Sequence, residues 1–300
     1  MALVARVLKL AAAVLAALLI AGFFQRLHPA FDALAHFRLH LCIVLGAVSV
    51  VVLPLRAWRT AAIALVICAA AVKMMKGAWL PSPNLSDADL TVLQFNARFD
   101  NPAPEAILSQ VARVRPDAIT LQEVSGNTAV ILAKLKGDYP FQLLCPFAGV
   151  GGVAVVSRHP VVGQWCAEGD GFAAMRIDLR GRLVTVASVH LHWPWPYGQL
   201  QQIDRLLPVM SGLPRPVVIA GDFNAAVWSE SVRRIAVASH TSPIKGIRLT
   251  FAKGPSALGP LGRLPIDHVL VPADAVGTAW LGQDAGSDHR PVIAKVKFRP

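Results

Sequence analysis

The sequence predicts an α/β layered domain preceded by an α-helical transmembrane region, and three observations carry that expectation. A mean hydropathy of +0.51 with only 16% charged residues is too apolar for an ordinary soluble chain of 300 residues, and the excess is concentrated before Pro81. Beyond that point short apolar runs of strand length alternate with helix-length stretches, the order that layered α/β domains show. Several of those runs end on a polar residue able to bind a metal or move a proton. The expected division is a transmembrane region over 1–80 with about three helices, a linker over 81–89 and a catalytic domain over 90–300.

Leu3 to Phe24 is a nearly uninterrupted apolar run behind Arg6 and Lys9, long enough to cross a hydrocarbon core of about 30 Å. A signal peptide shares that layout, but no small-x-small cleavage site follows and more apolar runs do, so a retained helix is expected. Gln25 to Arg38 is a mixed connector whose Pro29, histidines and charges do not suit lipid. Leu39 to Leu55 forms the second span, closed by Pro54 and the basic Arg56 and Arg59. Thr60 to Val72 is a shorter third run that reaches spanning length when Lys73 and Lys76 snorkel and the helix continues toward Trp79 and Leu80. Basic residues prefer the cytoplasmic side, so Arg6, Lys9, Arg56 and Arg59 favour both of their segments inside. Three spans then place the carboxy-terminal domain outside the inner membrane; two would reverse it, and Lys73 and Lys76 pull mildly that way.

A net charge of +11 suggests nucleic acid, since phosphate contacts release counterions. Its distribution weakens that reading: residues 1–80 carry +7 of it, around the membrane runs, and the other 220 residues only +4.

The linker PSPNLSDAD, with two prolines, marks the domain boundary. After it the pattern predicts a strand over 91–96, a helix about 104–114, a strand over 117–122 and a helix about 127–136. Several strands follow between Phe141 and His190, then a helix near Gly198 to Met210. The strand VVIAGD comes next, a helix carries Arg233 and Arg234 on a solvated face, and strands close the chain around 266–271, 276–281 and 291–298.

The most informative stretch is Val217 to Asn224, VVIAGDFN. A buried strand holds its terminal residues rigidly, so Asp222 and Asn224, two apart, point from its end to one face while Phe223 packs the other way. An Asp-x-Asn turn is ordinary turn chemistry on its own. Its company gives it weight: Asn96 ends LTVLQFN, Glu123 ends DAITLQE, His190 ends LVTVASVH, Asp267 interrupts LPIDHVLV, and Ser287-Asp288-His289-Arg290 precedes the last strand.

This ordered set over about Leu90 to Phe298 resembles the endonuclease/exonuclease/phosphatase superfamily, the metal-dependent phosphoesterases that include DNase I-like nucleases, inositol polyphosphate phosphatases and neutral sphingomyelinases. GDFN followed by SDHRPV is the most specific part. The resemblance implies a four-layer sandwich of two facing mixed sheets flanked by helices. It also implies a metal site at Glu123, helped by Asn96 and Asp288, that holds Mg²⁺ or alternatively Mn²⁺. Asp222 then corresponds to the general base for the attacking water and Asn224 to the residue on the phosphoryl oxygen. His190 and His289 would donate to the phosphate, best as charged imidazoles, with Asp267 orienting His289. Ser287 caps the turn before Asp288, Arg158 is structural, and His159 and Arg290 are either structural or support the site residues from behind. Many members place a tyrosine on the phosphate; neither Tyr139 nor Tyr197 occupies a recognisable equivalent, which sets this chain apart from the abasic-site nucleases.

His190 runs directly into His192-Trp193-Pro194-Trp195-Pro196-Tyr197. That loop is either packing or an interfacial element whose indoles favour the bilayer surface and lead a lipid head group to the metal. The expected activity is therefore Mg²⁺-dependent hydrolysis of a lipid-linked phosphate ester or pyrophosphate. In architecture the chain resembles membrane-bound bacterial members associated with teicoplanin resistance, thought to dephosphorylate undecaprenyl pyrophosphate. A membrane-tethered nuclease acting on DNA or RNA is the alternative. The expected partners are the bilayer and a phosphorylated lipid, with no obligate protein partner evident. Cys145 and Cys166 are either a disulfide, if the domain faces an oxidising compartment, or two buried thiols.

Overall fold

The computed structural model describes residues 2–75, 78–253 and 259–299. Four helices come first: α1 (Ala2–Ala21), α2 (Pro29–Ala35), α3 (Arg38–Val52) and α4 (Trp58–Met74). Helix α1, of 20 residues, spans about 30 Å and is long and apolar enough to cross a membrane. Helix α3 qualifies only together with α2, from which it is bent by 61°. Helix α4 ends at Met74 and does not continue to Trp79 and Leu80; Lys76 lies outside the described residues.

These helices pack along a seam of alanine and leucine. Ala12, Leu19, Leu45, Ala64 and Ala71 form the seam, while Leu3, Leu10, Ile43, Val51, Ile63 and Val66 are exposed. Leu8 packs beside Val52, Ala57 and Ala61 at one end, and Arg38 stacks over Phe23 at the other, so α1 and α3 run antiparallel. The expected irregular connector contains a helix, α2. Seven residues are too few to hold a helix unaided. Its entry is organised by Pro29 in the first turn and by His28, whose Nδ1 accepts the Ala30 N–H.

The linker lies against the closing strands. Ser82 bonds Thr278 at 3.0 Å, and Asp89 accepts the Phe298 N–H at 2.8 Å. The domain then runs β1 (Leu90–Asn96), α5 (Ala106–Val114), β2 (Ala118–Val124), α6 (Val130–Leu135), β3 (Phe141–Ala148), β4 (Gly151–Ser157), β5 (Val161–Ala167), β6 (Phe172–Leu179), β7 (Arg182–His190) and α7 (Gln199–Ser211). It finishes with β8 (Val217–Asp222), α8 (Glu230–Ala238), β9 (Thr241–Pro243), β10 (Asp267–Pro272), β11 (Val276–Leu281) and β12 (Val292–Lys297).

Two six-stranded sheets result, in the orders β11-β12-β1-β2-β4-β3 and β5-β6-β7-β8-β10-β9. Each is mixed: β1 is parallel to β2 and β7 to β8, and the other pairings are antiparallel. Val92, Val153 and Val155 of the first sheet meet Met175, Val186 and Val218 of the second in the central core. Ile107 and Ile131 cover the outer face of the first sheet. Ile203, Leu206, Val232 and Ile235 cover that of the second. Four layers follow, and the central strands are buried on both faces, which is why they read as continuous apolar runs rather than alternating ones.

At one edge Cys145 of β3 is joined by a disulfide to Cys166 of β5, linking the two sheets across 21 residues of sequence. Reduction, or replacement of both cysteines by serine, is expected to lower stability by about 3 kcal/mol. Thermal unfolding with and without reductant measures this; an unchanged midpoint would show that the bond constrains nothing.

Candidate active site

The parallel pairs do the positioning. Strands β1, β2, β7 and β8 all finish at the same end of the sandwich, and their last residues include Asn96, Glu123, His190 and Asp222. Register brings His190 opposite Asp222, and antiparallel β10 brings Asp267 opposite Asp222 from the other side. Gly221 allows this closeness: a Cβ there would stand 2.0 Å from the Val189 carbonyl oxygen. The turn before β12 supplies Asp288 and His289, its hydroxyl Ser287 accepting the His289 N–H and donating to the Asn96 carbonyl. The eight residues expected from the sequence thus come together at one site.

Asn96 Nδ2 donates to Glu123 Oε1 at 3.1 Å and to Asp222 Oδ2 at 3.0 Å. Glu123 Oε2 accepts the Phe99 N–H at 3.0 Å. Asp222 Oδ1 accepts the Asn224 N–H at 2.8 Å, and Asn224 Nδ2 donates to the Leu191 carbonyl at 2.7 Å. Glu123 and Asn224 both have left-handed backbone, with φ of 56° and 44°. Non-glycine residues hold that conformation at a cost when their surroundings dictate it, commonly where a side chain must be aimed.

His289 lies between two carboxylates, its Nδ1 2.8 Å from Asp267 Oδ2 and its Nε2 3.6 Å from Asp222 Oδ2. Burial opposes its charge, but Asp267 and Asp222 outweigh that and push its pKa up to about 10. Burial raises Asp222, whereas His289 and hydrogen bonds hold Asp267 low against its own burial. His190 differs from the charged imidazole expected: burial and the neighbouring His289 push its pKa down to about 3. A neutral imidazole still has one N–H to donate, and its Nε2 is 3.6 Å from Asp222 and 4.0 Å from Glu123.

Asp222, Asp267 and His289 offer ligand atoms within 4.8 Å of one another, but an imidazolium facing a carboxylate with each nitrogen has no lone pair for a metal. The better donors are Glu123 and Asn96, which touch, with Asp288 lining the same cleft. Carboxylate and amide oxygens suit a hard cation such as Mg²⁺ or Mn²⁺. Asn224 Oδ1 is also buried without a partner among the described residues. Asn96 turns its Nδ2 rather than its oxygen toward Glu123 and Asp222, so its amide would turn over to ligate a cation held between them.

The cleft above holds about 630 Å³, with Glu123, His190, Asp222 and Asn224 in its wall and Arg98, Phe99, Phe147, Trp193, Phe251 and Lys253 around them. Of these surrounding residues the sequence pointed only to Trp193; Phe147 lies near the end of β3, and Arg98, Phe99, Phe251 and Lys253 lie outside the named strands and helices. Sequence reasoning also missed a buried polar chain beneath them. Gln94 donates to Asp267 at 2.8 Å and to Gln122 at 2.9 Å, and Gln122 donates to Ser188 at 3.0 Å. The signal was present: each of two apolar strands carries a glutamine one or two residues before its candidate metal ligand. Tyr139 is buried on the Pro116 carbonyl and Tyr197 is exposed, so neither lines the cleft. Arg158 bonds and stacks on Tyr139, and His159 pairs with Asp117, both structural roles.

Residues 93–289, about two thirds of the chain, match the model of the Endonuclease/Exonuclease/phosphatase family. The chain belongs to that family. Its members are metal-dependent hydrolases of phosphoester bonds. Among solved structures it is similar to an endonuclease/exonuclease/phosphatase from Bacteroides vulgatus, at 16% identity and a TM-score of 0.58 over 70% of this chain and 99% of that one. A family protein from Leptotrichia buccalis gives 16% and 0.55 over 70% and 100%. Sphingomyelinase C from Streptomyces griseocarneus gives 20% and 0.50 over 69% and 98%. A UPF0294 protein of Vibrio vulnificus is 30% identical over 115 residues, 38% of this chain and 39% of that protein. The match thus spans about two fifths of that relative's length.

One histidine beneath the site gives a pH test. His268 is buried on Phe223, with Nε2 2.8 Å from the Ala225 carbonyl, and burial pushes its pKa down to about 4. The unfolded chain, near 6.5, takes up the proton first, so this stabilisation is complete above 6.5 and is lost as pH falls toward 4. The full effect is roughly 3 kcal/mol. Denaturant midpoints measured across that range should fall with acid in the native protein and less steeply in His268→Gln; parallel curves would refute it.

Proposed function

We propose that the protein is a membrane-anchored, divalent-metal-dependent phosphoesterase that hydrolyses a lipid-linked phosphate ester or pyrophosphate. The observation that carries this reading is the placement of the cleft. Its aromatic rim continues from Trp193 into the exposed Trp195 and Tyr197, and Trp195 packs edge-on against His28 at 5.9 Å, immediately after the exposed Phe24 and Leu27 at the end of α1. Indole and phenol rings favour the head-group layer, so an anchored protein would present this rim to the membrane surface.

In that reading Glu123, Asn96 and Asp288 hold the cation, which supplies charge neutralisation on the phosphoryl oxygens. Asp222 takes the proton of the attacking water. Asn224 and neutral His190 hold the nonbridging oxygens, and the His289 imidazolium, fixed by Asp267, offsets the charge that develops there.

Three features support an anchor in which α4, at 17 residues, is a short third span and the domain lies outside the inner membrane. The helical bundle brings Ala12, Ala64 and Ala71 into its seam and leaves many large Leu, Ile and Val side chains exposed, as a lipid-facing surface would. The connector between α1 and α3 touches the catalytic domain, whereas Arg56 and Arg59 follow the opposite end of α3, beside the start of α1. The disulfide fits an oxidising compartment.

Detergent-purified protein and its Asp222→Ala variant would be incubated with undecaprenyl pyrophosphate, phospholipid or plasmid DNA, with Mg²⁺ or chelator. Phosphate release from lipid that needs both Asp222 and metal is the expected result, with a loss of at least about a hundredfold in the variant. Nicked plasmid beside intact lipid would make the protein a tethered nuclease.

A further inference from the structure

The connector helix α2 is fastened to the catalytic domain by a buried carboxylate. Asp32 Oδ1 accepts the Glu230 N–H at 2.9 Å, and Oδ2 accepts the Ser231 N–H at 3.2 Å and contacts Ser231 Oγ at 2.8 Å. A residue about two hundred positions away thus satisfies two of the free N–H groups at the start of α8. Ser229 caps the same helix from within, on the Val232 N–H. Nearby, Trp228 Nε1 donates to the Ala35 carbonyl at 2.6 Å and Gln25 to the Trp228 carbonyl at 3.3 Å.

The contact does not stop at α8. Ser231 Oγ is 2.7 Å from Gln199 Oε1 at the start of α7, and Gln199 Nε2 donates to the carbonyls of His192 at 2.6 Å, Phe223 at 3.1 Å and Asn224 at 3.4 Å. Those three carbonyls fix the orientation of the Gln199 amide, because its oxygen could not face them. They also belong to the two loops that form the cleft wall. One is the turn in which Asn224 holds its left-handed conformation. Asp32, Ser231 and Gln199 are all buried, and together they form part of the wall of a cavity of about 450 Å³ between the connector and the catalytic domain. Burial pushes the Asp32 pKa up; with a proton on Asp32, donors would run in one direction from Asp32 through Ser231 to Gln199.

We propose that α2 is a positioning element of the active site: Asp32, acting through Ser231 and Gln199, holds the His192 and Phe223–Asn224 backbone in place, so that hydrolysis depends on the docked anchor segment. Asp32, Ser231 and Gln199 touch no reacting atom and are positioning residues. The inference rests on the assignment of Asp222 and Asn224 to the chemistry, but its structural half can be read without activity.

The test uses the full chain in detergent, with Ser231→Ala and Asp32→Ala as relay variants, Ser231→Thr to restore the hydroxyl, and Arg26→Ala as a control. Arg26 pairs with Glu230 at 3.3 Å in the same docking surface but lies off the relay. Hydrolysis of bis(p-nitrophenyl) phosphate with Mg²⁺ and hydrogen exchange of the His192 and Phe223–Asn224 segments are the two readouts. The relay variants should lose about tenfold or more in kcat with KM little changed, and should exchange faster in those two segments. Ser231→Thr should recover most of the activity, and Arg26→Ala should match the native protein. Unchanged exchange in a folded Ser231→Ala, or an equal loss in Arg26→Ala, would overturn the proposal. If the native protein leaves the probe intact, the chemical reading of the probe fails while exchange still decides whether the relay holds the loops.

Discussion

Everything at the catalytic end depends on His289 lying between Asp267 and Asp222 in the closed seam of the two sheets. Two carboxylates this deep in a protein repel each other and lose most of their hydration, a cost that only a well-placed opposite charge offsets. The imidazolium provides it, and Gln94 adds a donor from the opposite sheet. The arrangement therefore ties together the pairing of β8 with β10, the turn before β12, and β1 across the sandwich. It is a structural joint and the polar floor of the cleft at once.

The layers explain why such a site forms at this end. A strand parallel to its neighbour must return by a crossover, so β1 with β2 and β7 with β8 deliver their carboxyl ends to one side, where the connecting loops leave space. Helices cover the outer faces and the central core fills the space between the sheets, which leaves the strand ends as the place where polar groups can gather without breaking a core. The polar glutamine chain under Asp267 is tolerated because its members hydrogen-bond one another and the site above.

Much of this was legible in the sequence because it is encoded locally. Asn96, Glu123, His190 and Asp222 each mark a strand end, and a polar residue closing an apolar run is visible without tertiary information. Gln94 and Gln122 stand out as polar residues in the same apolar strands, but their roles were not legible, since a glutamine reads as neutral until its partner in the other sheet is known. Helix α2 was hidden for a related reason: PAFDALA is too short to be helical by propensity, and the Asp32 contacts that hold it come from a segment two hundred residues later. The protonation of His190 likewise depends on burial and on the neighbouring His289, neither of which periodicity reveals. Cys145 and Cys166 show the same limit, because two cysteines 21 residues apart fit a bond and a pair of thiols equally well until the edges of the two sheets are placed.

The most direct test of the central joint is the protonation state of His289 in metal-free protein, read from the ¹⁵N chemical shifts of selectively labelled histidine as pH is raised. Both ring nitrogens should stay protonated through neutral pH and titrate near 10, as expected for an imidazolium held between Asp222 and Asp267. Titration near the ordinary 6.5 would mean that the ring is neutral when the enzyme works, and that charge compensation does not hold this end of the two sheets together.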